Sequence, residues 1–253
     1  MSGIRLVAPF FPLPAEYAHH KALTGFDWIG AIRLLFDSAR RSCGVVPMHV
    51  ITDISANLPM STLRYDTKHR RLMLWYLEAA CCYLESDDFD RDTVMLDSDQ
   101  LIYGNLSKWF TPEMDLGILA RELPPKDPNG YRILNGVQFW AHRGKAKLAT
   151  FYRQALELAQ TLPEETIAWG ADTVVLERLL DPLDIGTTAD RAGLRVRFIE
   201  SKDVLERVTK RQLFQLRAGV RIERTRDVSC FRNMRKLYMK DFYRATLGEL
   251  VTA

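Results

Sequence analysis

Short apolar runs alternate along the chain with longer stretches in which apolar side chains recur at helical spacing, so strands and helices are expected in turn. Residues 4–11 read as a first strand, stopped by Pro9, Pro12 and Pro14, with a loop through His19 and His20 behind it. Over residues 27–41, Trp28, Ile32, Leu35, Phe36 and Ala39 fall on one helical face, and Gly44 stops the helix. Met48–Asp53 is the second strand, and residues 61–66 are polar and turn-like. Residues 70–84 form a long helix whose Leu74, Leu77, Ala80, Cys81 and Leu84 face a core. The adjacent Trp75 and Tyr76 belong to that packing, because aromatics at helical spacing are usually buried.

Thr93–Leu96 is apolar without alternation, as expected of a strand buried on both faces of a mostly parallel sheet. A turn at 104–106, an amphipathic piece around Trp109, a strand over 115–120 and a proline-rich loop over 124–130 follow. Residues 132–140 resume strand character, interrupted by Asn135 and Gly136; a glycine there marks a bulge or a ligand close to the backbone. Residues 145–162 are helical and end at Pro163, residues 173–180 form another helix with Asp172 at the capping position, and residues 193–199 alternate Arg with apolar residues as a strand. The remainder is basic and mostly helical, apart from a short apolar-edged segment over 227–231. The alternation predicts a layered α/β fold with a largely parallel sheet.

Composition narrows the class. With 253 residues, 47% apolar and 26% charged, the chain has the make-up of a folded globular protein, and no stretch reads as a spanning helix. Residues 1–14 lack the basic lead, the long apolar segment and the cleavage site of a secretory leader, and are expected to be strand and loop. The four cysteines, two of them adjacent at Cys81 and Cys82, give neither metal spacing nor a disulfide framework, so a reducing cytoplasm is expected. Net charge is only +3, yet Arg and Lys dominate residues 202–240, which suits either an anionic partner or a solvated helix face.

The candidate chemistry lies at the end of the Thr93–Leu96 strand, where Asp97 and Asp99 stand one residue apart. Open α/β sheets bind ligands at the carboxyl ends of their strands, and paired carboxylates there can hold a hard divalent cation that also grips phosphates. The plainer reading is a surface loop with two acids. His19, His20, His49, His69 and His142 show no metal spacing as a set; His69, beside Arg70 and Arg71, reads as a solvated helix start.

Taken together, these landmarks resemble the nucleotide-sugar glycosyltransferases of the GT-A fold, in layout the glycogenin-like and bacterial galactosyltransferase-like branch. The residues that carry the likeness are Leu96-Asp97-Ser98-Asp99, Asn135-Gly136-Val137, Gly170-Ala171-Asp172 and Cys230-Phe231-Arg232-Asn233-Met234-Arg235-Lys236. The resemblance implies a Rossmann-like, mixed and mostly parallel sheet over residues 1–200, and a basic helical segment over 201–253 that completes the donor site. It implies Mn²⁺ or Mg²⁺ on Asp97 and Asp99, with Asp97 on either the ribose or the metal. Lys236, with Arg235 or Arg232, would meet the diphosphate, and Arg71 would reach the donor. Asn135 and Gly136 would line the sugar. Gln138 and Asp172 would serve as polar stabiliser and base near the acceptor or anomeric carbon, a simple helix cap being the alternative for Asp172. In the family the last motif opens on a metal-binding His; here Cys230 stands in its place and Asn233 replaces a Gly. A thiol suits these hard cations poorly.

The expected activity is transfer of a hexose or pentose from a nucleoside-diphosphate sugar to a hydroxyl. The acceptor is either a glycan or lipid-linked saccharide at an inner membrane surface, or a hydroxymethylated DNA base in a phage-infected host cytoplasm. DNA or an anionic membrane would then meet the basic C-terminal segment. A non-catalytic GT-A-like protein that binds nucleotide or nucleic acid is the competing expectation, and Cys230 is the feature that favours it.

Overall fold

The structure, a computed structural model, describes residues 3–12, 26–123, 130–168, 170–231 and 233–248. His19, His20, residues 124–129, Trp169 and Arg232 lie outside them. The strands are β1 Arg5–Pro9, β2 Met48–Asp53, β3 Thr62–Tyr65, β4 Thr93–Leu96, β5 Gln100–Ile102, β6 Leu116–Ala120, β7 Ile133–Trp140, β8 Thr188–Arg191, β9 Leu194–Glu200, β10 Leu205–Arg207 and β11 Val228–Cys230. The helices are α1 Trp28–Cys43, α2 Leu72–Glu85, α3 Lys145–Gln160, α4 Glu164–Ala168, α5 Ala171–Leu180, α6 Ser201–Val204, α7 Lys210–Arg217 and α8 Met239–Tyr243. The chain folds as two compact units.

The first unit is an eight-stranded sheet in the order β3-β2-β1-β4-β7-β6-β9-β8 with α2, α3, α4 and α5. Strands β3, β2, β1 and β4 run parallel, as do β6 and β9, while β7 is antiparallel to both neighbours and β8 to β9. This is the mixed, mostly parallel α/β sheet expected. All four residues of β4 are buried, as its unbroken apolar run requires. Trp75 and Tyr76 are packed inside, Trp75 stacked on Phe11 with ring centroids 4.8 Å apart.

The bulge forecast at Gly136 is present. Along β6 the register steps directly from Ile118 to Leu119, while β7 moves from Gln138 to Leu134, so Asn135, Gly136 and Val137 stand as extra residues. On its other side β7 keeps register with β4, and Val137 pairs with Leu96 at the end of that strand.

Some elements differ from the sequence reading. Residues 62–65 are an edge strand rather than a turn, because pairing with β2 supplies order that a polar local sequence does not announce. Strand β8 forms a hairpin with β9 through Ala192 and Gly193, both at positive φ (47° and 77°), a primed-turn geometry. Asp172 does not cap α5. That place belongs to Gly170, whose φ is +118° and whose added Cβ would lie 2.7 Å from the Tyr131 hydroxyl.

The second unit holds α1, β5, β10, β11, α7 and α8. A small sheet in the order β10-β11-β5 anchors it, with β11 parallel to β10 and antiparallel to β5. Its core gathers Leu101, Leu213, Phe231, Met239 and Phe242. Asp27 caps α1 by accepting from the Gly30 N–H at 2.8 Å. The last segment is therefore part strand, part helix. Among the described residues, no helix is long and apolar enough to cross a membrane.

One buried acid of the first unit is purely architectural. Asp53 accepts from the Ser55 N–H at 3.0 Å, the Ser55 hydroxyl at 2.5 Å and the Thr67 hydroxyl, with the Arg70 guanidinium 3.5 Å away. Burial pushes this carboxyl up, but the Ser55 and Thr67 hydrogen bonds and the Arg70 charge outweigh it and hold the pKa at about 2. A carboxyl depressed on folding stabilises above its unfolded pKa of about 3.9, and that contribution is lost as pH falls through the folded value. Asp53→Asn is expected to cost on the order of 2 kcal/mol near neutral pH, with the deficit closing between about pH 4 and about pH 2. Urea melts across that window check it; a deficit that stays constant as the acid range is entered contradicts the assignment.

Candidate active site

The chain leaves β4 at Leu96 and passes through half-buried Asp97 into buried Ser98 and Asp99 before β5 begins. Within the second unit, β5 pairs with β11 so that Gln100 sits opposite Cys230, and the Phe231 N–H donates to the Asp99 carbonyl at 2.9 Å. This ladder holds Asp99 beside the exit of β11. The chain then turns through a 3₁₀ segment, Asn233–Tyr238, which carries Lys236 back to the acid. Lys236 Nζ lies 2.9 Å from Asp99 Oδ2, the side chains being 12% and 9% exposed, and its ammonium stands 4.5 Å from the ring centroid of Trp28. The other oxygen, Asp99 Oδ1, is buried with no hydrogen-bond partner among the described residues. Buried carboxylate oxygens are rarely left so, and such an atom points to a ligand that is cationic or donates a proton.

A divalent cation is one such ligand. Asp99 supplies a hard oxygen with an open position, which suits Mg²⁺ or Mn²⁺. Among the described residues, no group of three or more His, Cys, Asp or Glu side chains is arranged to hold a metal ion. A cation at this place would be held through one or two carboxylates, as Mg²⁺ commonly is, rather than by a closed protein cage. Cys230 is a buried thiol in the small sheet, a soft donor that adds little for such ions. Arg235 donates to the Val208 carbonyl, which ties it to the small sheet.

The first unit carries a second polar cluster. Asn135, in the bulge, donates from Nδ2 to Asp172 Oδ2 at 2.6 Å. Gln138 donates from Nε2 to Asn135 Oδ1, and its Oε1 accepts from the Trp140 indole at 2.9 Å and from the Tyr152 hydroxyl. An indole N–H can only donate, so the Gln138 atom facing Trp140 is the oxygen. That choice orients both amides in turn: Gln138 must offer its nitrogen to Asn135, and Asn135 must offer its own to Asp172. The chain of donors runs one way, from Trp140 and Tyr152 to the carboxylate. Burial pushes the Asp172 carboxyl up, against the Thr173 N–H and Asn135 donors that favour its charge.

The structure brings together Asp99 and Lys236 in one unit, and Asn135, Gln138 and Asp172 in the other. Arg71, at the start of α2, is ion-paired with Glu164 of α4. Trp28, Trp140 and Tyr152 complete these clusters, and the sequence offered no separate sign of them. Each falls on a strand or helix pattern that packing alone explains, and only the pairing of distant segments gives it a polar partner.

No protein-family model matches the sequence, and neither does any curated protein. Solved structures do match in fold. A glycosyltransferase involved in glycosylation of the major capsid of PBCV-1 superposes with a TM-score of 0.55 at 11% identity, over 94% of this chain and 99% of that one. The glycosyltransferase GlyE of Streptococcus pneumoniae TIGR4 gives a TM-score of 0.55 at 11% identity, and its apo form 0.54 at 12%; each match covers all of this chain and 64% of GlyE. The chain therefore spans less than two thirds of GlyE, and at this identity what is shared is the fold: an α/β architecture like that of solved glycosyltransferases.

Proposed function

We propose that the protein is a GT-A-type glycosyltransferase that moves a sugar from a nucleoside-diphosphate donor to a hydroxyl acceptor, with Mg²⁺ or Mn²⁺ bound through Asp97 and Asp99. The observation that carries this reading is the half-satisfied carboxylate of Asp99, one oxygen on Lys236 and the other buried with no hydrogen-bond partner among the described residues. When bound, the cation would neutralise charge growing on the departing diphosphate. Lys236 supports the same leaving group: its ammonium needs only to exchange one carboxylate oxygen for a phosphate oxygen, and Trp28 keeps it in place meanwhile.

The polar chain within the first unit is of the kind that binds sugar or acceptor hydroxyls. Asn135 presents an amide whose orientation is fixed, and Gly136 stands next to it in the bulge. Gln138 is fully buried with both amide ends engaged, so it acts as a positioning residue rather than touching substrate. Asp172, raised by burial, is suited to take a proton from the acceptor hydroxyl. The competing reading, a nucleotide-binding protein without catalysis, is favoured by Cys230 where the family has a histidine.

Asp99→Asn and Lys236→Met are each expected to cut sugar-nucleotide hydrolysis or transfer by more than about a hundredfold, the scale of a lost charge-stabilising group. A thermal-shift series with nucleoside diphosphates and their sugars, with and without Mn²⁺, separates the readings. Stabilisation by donor that turns over identifies the transferase, stabilisation without turnover identifies the binding protein, and full activity in a variant removes the substituted residue from the site.

Tyr152→Phe removes one of the two donors that orient Gln138. It is expected to lower kcat/KM by about fivefold, the value of one hydrogen bond of roughly 1 kcal/mol, and Gln138→Leu to lower it further. Steady-state kinetics on both variants decide the point, and unchanged constants in both would show the chain to be architecture alone.

A further inference from the structure

The second unit carries a surface that the transferase reading does not use. Helix α7 is fixed at both ends. At its start Thr209 and Gln212 form a reciprocal capping box. At its end the Gly219 N–H donates to the Leu216 carbonyl at 3.0 Å and the Val220 N–H to the Gln215 carbonyl at 2.9 Å, with Gly219 at φ +70°. This is the Schellman arrangement, and it turns the chain back so that Val220 comes beside the last turn of the helix, where Phe214 lies. Leu213 and Leu216 point into the core of the unit and set the rotation of the helix.

The outward side is unusual in what it combines. Phe214 is 74% exposed and Val220 49%. Lys210, Arg211, Arg217 and Arg221 are exposed too, and Lys210–Arg217 contains no acidic residue. On the helix, Lys210, Arg211 and Arg217 are spaced three or four residues from Phe214, which makes them its surface neighbours. Nearby acids do not cancel the charge: Glu206 is taken by Arg224 at 2.9 Å and by Gln212, leaving Glu223 as the exposed carboxylate of the following turn.

A single exposed Phe needs no explanation. Here it stands on a helix pinned by two caps, with exposed Val220 two residues past the C-cap and Lys210 and Arg211 one turn away, while Arg217, also exposed, lies over the Tyr238 ring at 4.6 Å. Cations alone would suit nucleic-acid phosphates as well as lipid headgroups. The apolar pair favours lipid over a nucleic-acid duplex, whose bases are already stacked and offer it no partner, since it can enter the boundary between headgroups and acyl chains while the cations hold anionic headgroups.

We infer that the exposed face of α7, with Phe214 and Val220 at its tip and Lys210, Arg211, Arg217 and Arg221 around them, docks the protein on an anionic lipid bilayer. The inference is independent of the transferase reading, because its test measures binding and not turnover. Flotation of the full chain with phosphatidylcholine vesicles, and with vesicles of mixed phosphatidylcholine and phosphatidylglycerol, reads it directly. Binding is expected only to the anionic vesicles and is expected to weaken with salt. Lys210→Gln and Arg211→Gln should each reduce the partition coefficient by about fivefold, the effect of one cation near a charged membrane. Phe214→Ser should reduce it by at least as much, with an unchanged melting temperature because the side chain is already in water. Equal binding to neutral vesicles, no binding to anionic ones, or anionic binding indifferent to Phe214→Ser would overturn the inference. So would selective retention by a DNA duplex that falls with the two cation variants but not with Phe214→Ser, which would assign the surface to nucleic acid.

Discussion

A carboxylate withdrawn from water must be answered by a cation or by hydrogen-bond donors, and Asp99 is answered only by half. Removing one partner of a buried ion pair leaves an uncompensated charge and is strongly destabilising. The second unit is built so that this partner is held beside the acid. Strand β11 pairs with β5, the Phe231 N–H holds the Asp99 carbonyl, and the 3₁₀ segment beyond returns Lys236 to the acid. Trp28, at the start of α1, lies under the ammonium. Segments far apart in the sequence are thus tied to one charge.

Other buried aspartates show what a purely architectural acid looks like. Asp53 has both oxygens occupied by Ser55, Thr67 and Arg70. Asp115 receives the Arg195 N–H and the Lys147 ammonium, each at 2.9 Å, and the Arg143 guanidinium at 3.5 Å. Burial would raise the Asp115 carboxyl, but the Arg195 N–H, Lys147 and Arg143 hold it below the usual carboxylate range. Saturated acids of this kind stabilise loops and strand ends and have no capacity left for a ligand. Asp99 differs by one oxygen. That difference, rather than its place in a short motif, is what supports the proposal that Asp99 binds a ligand.

The strands and helices were legible wherever burial is uniform along a segment. The apolar run Thr93–Leu96, the helix through Trp75 and the glycine interruption of β7 each announce themselves locally, and the fold follows from them. Edge strand β3 and hairpin strand β8 were not legible, because a half-exposed strand draws its order from a partner and not from its own composition. The cap was placed two residues too late, at Asp172, for a related reason. An aspartate before a helical run looks like a cap, but Gly170 takes the cap through a conformation open to glycine, and Asp172 is left to accept from Asn135. The acids at 97 and 99 were visible in the sequence. What could not be seen there is that Lys236 rests on Asp99 and that Tyr152 and Trp140 fix the direction of the amides, since each is a contact between segments many residues apart.

The basic stretch after residue 202 shows how composition can mislead when it is summed. Read as a tail of positive charge, it suggests one anionic partner. In the folded unit the charges divide by burial and by neighbour. Arg224, 10% exposed, pairs with Glu206 and stacks over Phe242 at 4.8 Å, so it belongs to the core. Arg235 serves the Val208 carbonyl, and Lys236 serves Asp99. Lys210, Arg211, Arg217 and Arg221 remain outward around an exposed Phe. A single charge total thus contains a packing role, a buried pairing with Asp99 and a surface role. These respond differently to salt: the outward cations are screened within about 10 Å at ordinary ionic strength, whereas buried pairs are screened far less. Ionic strength is therefore the variable that takes the surface role apart from the other two without altering the sequence.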